Sequence, residues 1–292
     1  MDVNLSLYKS AFEFLEVAGP FLYTKETVNN LILGVSERLV KDPEAFKNPF
    51  FATVTDESGQ IVLAAVMTPP HNLILAGGDQ FDVGISVLIA HLQAEQIAIP
   101  GVIGPVEIAD HFVQTWKGLQ LENSTVGMNQ RVYELRRVRM PEQVPGEFWG
   151  AREEDVPTVA VWLQAFEEEA IGKCNDLDLE RAERLVENDN VFVWLNKGQP
   201  RAMAIKLRPI AHSVTIGGVY TPPEYRRQGY ATALVAHLSQ HLLDQGYQFV
   251  NLFTDLSNPT SNSIYKKIGF HPVCDFRMYE ITGSLADPDG LS

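Results

Sequence analysis

The sequence has little cysteine. Its two residues of that type, Cys174 and Cys274, are too few for a disulfide framework and show no metal-ligand spacing, so no metal is expected. No uninterrupted apolar run approaches the ~18 residues that a membrane helix needs. Met1-Asp2-Val3-Asn4-Leu5 carries no basic leader ahead of an apolar stretch. The expectation is a soluble, cytoplasmic chain with no membrane partner. Positive charge is also scarce, with 23 Lys and Arg against 37 Asp and Glu, a net charge of −14. A surface of that sign repels a phosphate backbone, which argues against nucleic acid as a partner. It is compatible with a cationic small molecule, and equally with solubility alone. A Walker Gly-Lys-Ser/Thr and a GxGxxG are both missing. What is present is an ordinary globular composition, 45% hydrophobic and 21% charged over 292 residues, enough for about two domains of ~150 residues.

The chain repeats itself. Residues 51–78 lie on 190–217 at an offset of 139, with Gly59 on Gly198, Gln60 on Gln199, Ala65 on Ala204, Pro70 on Pro209 and Gly78 on Gly217. Further on the offset becomes 146: Ala90-His91-Leu92 falls on Ala236-His237-Leu238, and Arg131-Val132-Tyr133-Glu134-Leu135 on Arg277-Met278-Tyr279-Glu280-Ile281. The second copy therefore has seven extra residues between Gly217 and Ala236. Chemistry that needs this connection belongs to the second half.

The second half reads as a helix with apolar positions Val159, Trp162, Leu163 and Phe166 at helical spacing, then strands over 191–195, 202–207 and 213–220. Ala231, Leu234, Val235, Leu238 and Leu242 mark a further helix ended by Gly246. A buried strand over 249–253, a short helix over 261–268 and a last strand over 277–281 follow. Strands first antiparallel and then joined through helices give an α/β fold with mixed sheets. The expected division is 1–136, a linker at 137–150 rich in turn residues (Pro141, Pro145, Gly146), and 151–292.

The enlarged connection runs Gly217-Gly218-Val219-Tyr220-Thr221-Pro222-Pro223-Glu224-Tyr225-Arg226-Arg227-Gln228-Gly229-Tyr230-Ala231 from a strand into a helix. Small residues at 229 and 231 let the backbone approach a bulky ligand. First-turn amides without intrahelical partners, with the helix dipole, suit a phosphate or pyrophosphate. An ordinary surface loop would carry the same short Gly-containing turn.

Arg226-Arg227-Gln228-Gly229-Tyr230-Ala231 resembles the Q/R-x-x-G-x-G/A loop of the GNAT acetyltransferase superfamily, and Ser263-Ile264-Tyr265-Lys266-Lys267-Ile268-Gly269-Phe270 looks like its A-x-x-L-Y-x-K-x-G-F helix. The resemblance covers about residues 147–282. Through the repeat it extends to a degenerate first copy, which has Trp116-Lys117-Gly118-Leu119 near the position of the second motif. It implies two tandem GNAT-like domains, each a mixed, mostly antiparallel sheet flanked by helices, the second catalytic. It also implies an N-acetyltransferase using acetyl-CoA or another acyl-CoA as donor and a small amine or peptide amine as acceptor. Val219 and Tyr220, with Thr221 after them, would hold the pantetheine and acyl carbonyl. Arg227, Gln228, Gly229, Tyr230, Ala231 and Thr232 would line the pyrophosphate, and Asn258 and Tyr265 would face the other arm.

Thioester aminolysis needs a neutral amine, an N–H for the oxyanion and a proton for the thiolate. Tyr265 can give the proton, or it can be a core aromatic. Glu168, within Glu167-Glu168-Glu169, can take the amine's proton, or the run can be a solvated helix end. An acceptor held by these glutamates would lie at the junction of the two halves. His237 and His241, at i and i+4, find no third ligand in the sequence and read as a surface face. Cys174 has no activating neighbour, and Trp162, Trp194, Phe166 and Phe253 read as core. Two other readings remain: a tandem transferase with a longer acyl or aminoacyl donor, and a non-catalytic acyl-CoA-binding module.

Overall fold

The computed structural model describes residues 3–118, 123–172 and 176–282. Along the chain come β1 (Asn4–Tyr8), α1 (Ala11–Tyr23), α2 (Asn30–Lys41), β2 (Phe50–Thr55), β3 (Ile61–Met67), β4 (Leu73–Gly77), α3 (Phe81–Ala94), β5 (Gly101–Pro105), α4 (Val106–Gly118) and β6 (Asn123–Leu135). Then follow β7 (Glu147–Gly150), α5 (Val156–Ile171), α6 (Leu179–Glu187), β8 (Val191–Asn196), β9 (Gln199–Leu207), β10 (Ser213–Tyr220), α7 (Tyr230–Asp244), β11 (Phe249–Asp255), α8 (Pro259–Ile268) and β12 (His271–Thr282). No described helix is long and apolar enough to cross a membrane.

The chain packs as two compact units, residues 1–131 with 274–292, and residues 132–273. In the first, β1 to β5 lie side by side in sequence order, followed by β12. The β1–β2, β2–β3, β3–β4 and β5–β12 pairs are antiparallel, and β4 runs parallel to β5. Its core joins Leu63, Leu75, Leu88, Leu92, Phe112 and Trp116 from both strands and helices. The repeat assigns β12 to the second copy, yet most of this strand packs with the first unit. Sequence similarity and packing thus divide the chain differently at its end.

In the second unit the order is β11-β10-β9-β8-β7, and the end of β6 (residues 132–135) belongs to the same unit. The β7–β8, β8–β9 and β9–β10 pairs are antiparallel, and β10 runs parallel to β11. Side chains alternate between two cores, as strand geometry requires. Ala202, Ala204, Val214, Ile216, Val250 and Leu252 pack under α7 and α8. Val191, Val193, Met203 and Ile205 pack under α5 and α6. The stretch expected to link the halves ends in structure: residues 147–150 pair with 195–192 as an edge strand, and Phe148 stacks on Phe192 at 5.4 Å. The turn residues Pro145 and Gly146 stand immediately before this strand, so they punctuate its start.

Candidate active site

β10 and β11 pair from Ser213–Phe249 to Ile216–Leu252, and the register ends there although β10 continues to Tyr220 and β11 to Asp255. The two strands part, and the main chain of residues 217–220 loses its partner on that side. The cause lies on β10. Gly217 is opposite Ile205 and Tyr220 opposite Met203, so three steps on β10 match two on β9. One extra residue makes a bulge, which bends a strand and reverses its alternation. Accordingly Ile216 packs in the α7 core and Tyr220 in the α5 core, although four residues apart on a regular strand would share a face. Gly218 takes the left-handed conformation (φ +56°), and a Cβ there would lie 2.5 Å from Ile205 Cδ1. Only glycine fits this position without movement.

Beyond Tyr220 the chain enters residues 221–229 and then α7. Gly229 is the N-cap with φ +85° and gives the helix no side-chain cap. The first intrahelical bond runs from the Ala233 N–H to the Gly229 carbonyl at 2.9 Å. The amides before Ala233 are the ones a helix leaves unpaired. Tyr230 anchors this end: it is buried, its hydroxyl accepts from Asn196 Nδ2 at 2.6 Å and donates to Gln228 Oε1 at 3.0 Å. Ala231 and Thr232 are partly buried. The two arginines have different surroundings. Arg226 donates to both oxygens of Glu169 (2.6 and 2.7 Å) and to the Thr221 carbonyl (2.9 Å), tying the loop to α5. Arg227 is exposed, with φ +62°. Thr221 Oγ1 is buried with no hydrogen-bond partner among the described residues. Such an orphan fits a site that a ligand completes.

Tyr265 is buried on α8, its ring 6.4 Å from Tyr133 and 5.9 Å from Phe270. Burial pushes its phenol up to about 12, opposed by a hydrogen bond from Ser261, so it is neutral at physiological pH. Asn258 caps α8: its Oδ1 accepts from the Ser261 N–H at 3.0 Å. Among the glutamates, Glu167 accepts from Arg181 and Glu169 from Arg226, while Glu168 is exposed. Tyr220 packs 6.3 Å from Trp162, and burial, then the Glu169 charge, raises its phenol.

Sequence reasoning missed Asn262 and Tyr133. Asn262 Nδ2 donates to the carbonyls of Asp255 (3.0 Å) and Asn258 (2.7 Å), and Oδ1 accepts from the Tyr133 hydroxyl at 2.9 Å, fixing the turn between β11 and α8. The Asn-Pro-Thr-Ser-Asn run was a usable signal, because Asn before Pro opens helices. His237 packs on Trp194 (5.3 Å) and His241 on Phe192 (5.5 Å), which makes them lining for aromatic strands. Trp162 and Trp194 are core residues, whereas Cys174 lies outside the described residues.

The first copy differs at the matching place. Three residues separate β4 from α3, against nine between β10 and α7. A Cβ on Gly77, at the end of β4, would meet Ile108 Cδ1 at 2.7 Å and Phe81 Cβ at 2.8 Å. Apolar side chains of α3 and α4 already cover that strand end.

Residues 140–270 match the acetyltransferase (GNAT) family. This chain carries a domain of that family. Among curated proteins none matches the sequence. Solved structures share the fold over nearly the whole length. A GCN5-related N-acetyltransferase from Sphaerobacter thermophilus superposes with a TM-score of 0.65 at 13% identity, covering 98% of each chain. A GNAT-family acetyltransferase from Colwellia psychrerythraea gives 0.56 at 14%, covering 95% of this chain and 98% of its own. A tandem GNAT protein from the clavulanic acid biosynthesis pathway gives 0.55 at 11%, covering 98% and 100%. At these identities the likeness is one of fold: the α/β tandem GNAT architecture.

The raised Tyr265 phenol has a measurable consequence. An unfolded phenol ionises near its ordinary 10.0 and the buried one at about 12. The stability tied to the neutral buried phenol is therefore intact below pH 10 and lost as pH rises toward about 12. Tyr265→Phe removes the ionisable group, so its urea midpoint should fall less steeply than the wild type's across that window. Equal slopes would mean that the phenol titrates normally.

Proposed function

We propose that the protein is an N-acyltransferase that moves an acetyl group from acetyl-CoA to a primary amine, with the donor held by the second unit alone. The observation that carries this reading is the parting of β10 and β11 at a bulge, directly ahead of a helix start with a glycine cap. A pantetheine arm is an extended chain of amides and needs unpaired main chain beside it; residues 217–220 offer that. A pyrophosphate needs N–H groups and positive charge; residues 227–232 supply the amides and Arg227 the guanidinium. Thr221 Oγ1 has no partner among the described residues to give up. Asn258 spends its Oδ1 on its own helix, leaving the side-chain NH2 to meet the donor. In the first copy, Ile108 and Phe81 stand against such a ligand.

In the reaction the amine nitrogen bonds to the thioester carbonyl carbon, the carbon–sulfur bond breaks, the amine loses a proton and the sulfur gains one. A main-chain N–H at Val219 or Tyr220 supports the oxygen as it becomes negative. Glu168 receives the amine's proton, directly or through a water, because its two neighbours are engaged with arginines. Tyr265 faces the departing sulfur. A phenol at about 12 is a weaker acid than a thiol near ~8.5, so its O–H acts chiefly as a hydrogen-bond donor to the developing thiolate.

Three outcomes are expected. Calorimetric titration with CoA should give one site per chain, and Gly229→Glu, which puts a carboxylate at the pyrophosphate position, should abolish it; binding that survives would remove the α7 start from the site. Tyr265→Phe should lower kcat by about 10- to 100-fold, the worth of a hydrogen bond to charge, with donor affinity kept. Unchanged kcat when chemistry limits the rate would dismiss Tyr265. Glu168→Gln should lower kcat most at low pH, where a base matters most, and an unaltered pH profile would return Glu168 to a solvated helix end.

A further inference from the structure

β7 is the outer strand of the second unit and pairs with β8 on one side only. The register decides which of its main-chain groups are free. The Ala151 N–H donates to the Val191 carbonyl at 2.9 Å, and Gly150 stands opposite Phe192. In an antiparallel pair, hydrogen-bonded and non-bonded positions alternate. Glu147, Trp149 and Ala151 therefore turn their N–H and C=O groups to β8, and Phe148 and Gly150 turn theirs outward. Glu147, Trp149 and Gly150 are exposed, and a Cβ on Gly150 would meet nothing within 4 Å. This edge is open.

Proteins blunt open edges with lysine, proline, a bulge or a charge in the middle of the strand. Residues 148–150 have none of these, being Phe, Trp and Gly. Trp149 keeps 43% of its surface exposed on the same strand.

We propose that β7 is the interface through which two copies of this chain associate, edge to edge and antiparallel, about a two-fold axis at Trp149. In this register Phe148 of each strand faces the partner's Gly150. Each such pair exchanges two hydrogen bonds, so every outward N–H and carbonyl on both strands is used. Registers centred on Phe148 or Gly150 set the other residue against Gly146 or Arg152, outside the strand. The Arg152 N–H is already spent on Asp155 Oδ2 at 2.9 Å.

The side chains agree with the same axis. Phe148 lies on the α7 face, stacked on Phe192, and covers the partner's Gly150, which has no side chain to oppose it. Trp149 is opposite Val193 and so lies on the α5 face. There the two Trp149 rings meet at a non-bonded pair, the position that brings side chains closest. The charges are complementary as well. The Arg152 guanidinium lies 5.0 Å from its own Trp149 ring, which puts it on the α5 face. Glu147 shares that face, and across the axis it stands opposite the partner's Ala151, beside the partner's Arg152. The contact of Arg152 with its own Glu154 is long, 3.7 Å, and exposed. A foreign strand could use the free main chain. Only a second copy also brings glycine under Phe148 and arginine beside Glu147.

Sedimentation equilibrium of the full chain from about 1 to 300 μM tests this. A four-residue edge is a small contact, so wild type should dimerise with a Kd of about 10–100 μM. Gly150→Pro deletes an outward N–H and leaves the bonds to β8, because an edge strand admits proline where its N–H faces solvent. It should weaken the dimer by about tenfold or more. Trp149→Lys, which opposes two like charges at the axis, should do the same. A charge series guards against misfolding of either variant. Glu147→Arg and Arg152→Glu should each weaken the dimer about fivefold, and the double variant should recover wild-type affinity. Where far-UV circular dichroism of Gly150→Pro or Trp149→Lys departs from wild type, the charge series alone decides. Wild type that stays monomeric over the whole range overturns the proposal, whether the edge is empty or takes a foreign strand. A dimer unaltered by these variants forms elsewhere and overturns it too. So does a double variant no tighter than the single ones.

Discussion

A single extra residue in β10 is the constraint on which the second unit's site depends. The bulge at residues 217–220 turns Tyr220 to the opposite face from Ile216 and separates β10 from β11. Without it the parallel ladder would continue, and every main-chain group along the two strands would be used up by hydrogen bonds within the sheet. With it, unpaired main chain is held open by two well-packed cores, one on each face. The opening is therefore built into the fold, which is how a site avoids the entropic cost of ordering itself on binding.

The surrounding parts follow from that opening. Residues 221–229 carry the chain from the parted strand to α7, and Arg226 ties this loop to α5 through Glu169. That pair is exposed and contributes little to stability. Its effect is positional, since it leaves Arg227 and the helix start facing outward. The first copy shows what happens without these parts: a short connection brings α3 close to β4, and Phe81 and Ile108 fill the space over Gly77. One duplicated fold thus has one strand end left open and one closed by its own side chains.

Much of this was legible in the sequence. The change of repeat offset pointed to a longer connection in the second copy, because an insertion must shift every later match, and the structure has nine residues there against three. Strand and helix positions from Val191 to Gly269 followed from period and caps. The bulge was not legible: Gly217-Gly218 permits one but does not require it, and only the register with β9 reveals the added residue. Nor was the role of Glu169, whose partner Arg226 is 57 residues away. The glutamate run looked uniform in sequence, and packing gave its three members different surroundings.

Amide hydrogen exchange with and without CoA tests the central claim most directly, that the donor lies along the parted end of β10 and on the start of α7. Protection should appear at residues 217–220 and 227–232 and be absent at residues 76–82 of the first copy. Protection confined to the first copy, or none at either place despite saturating CoA, would contradict it.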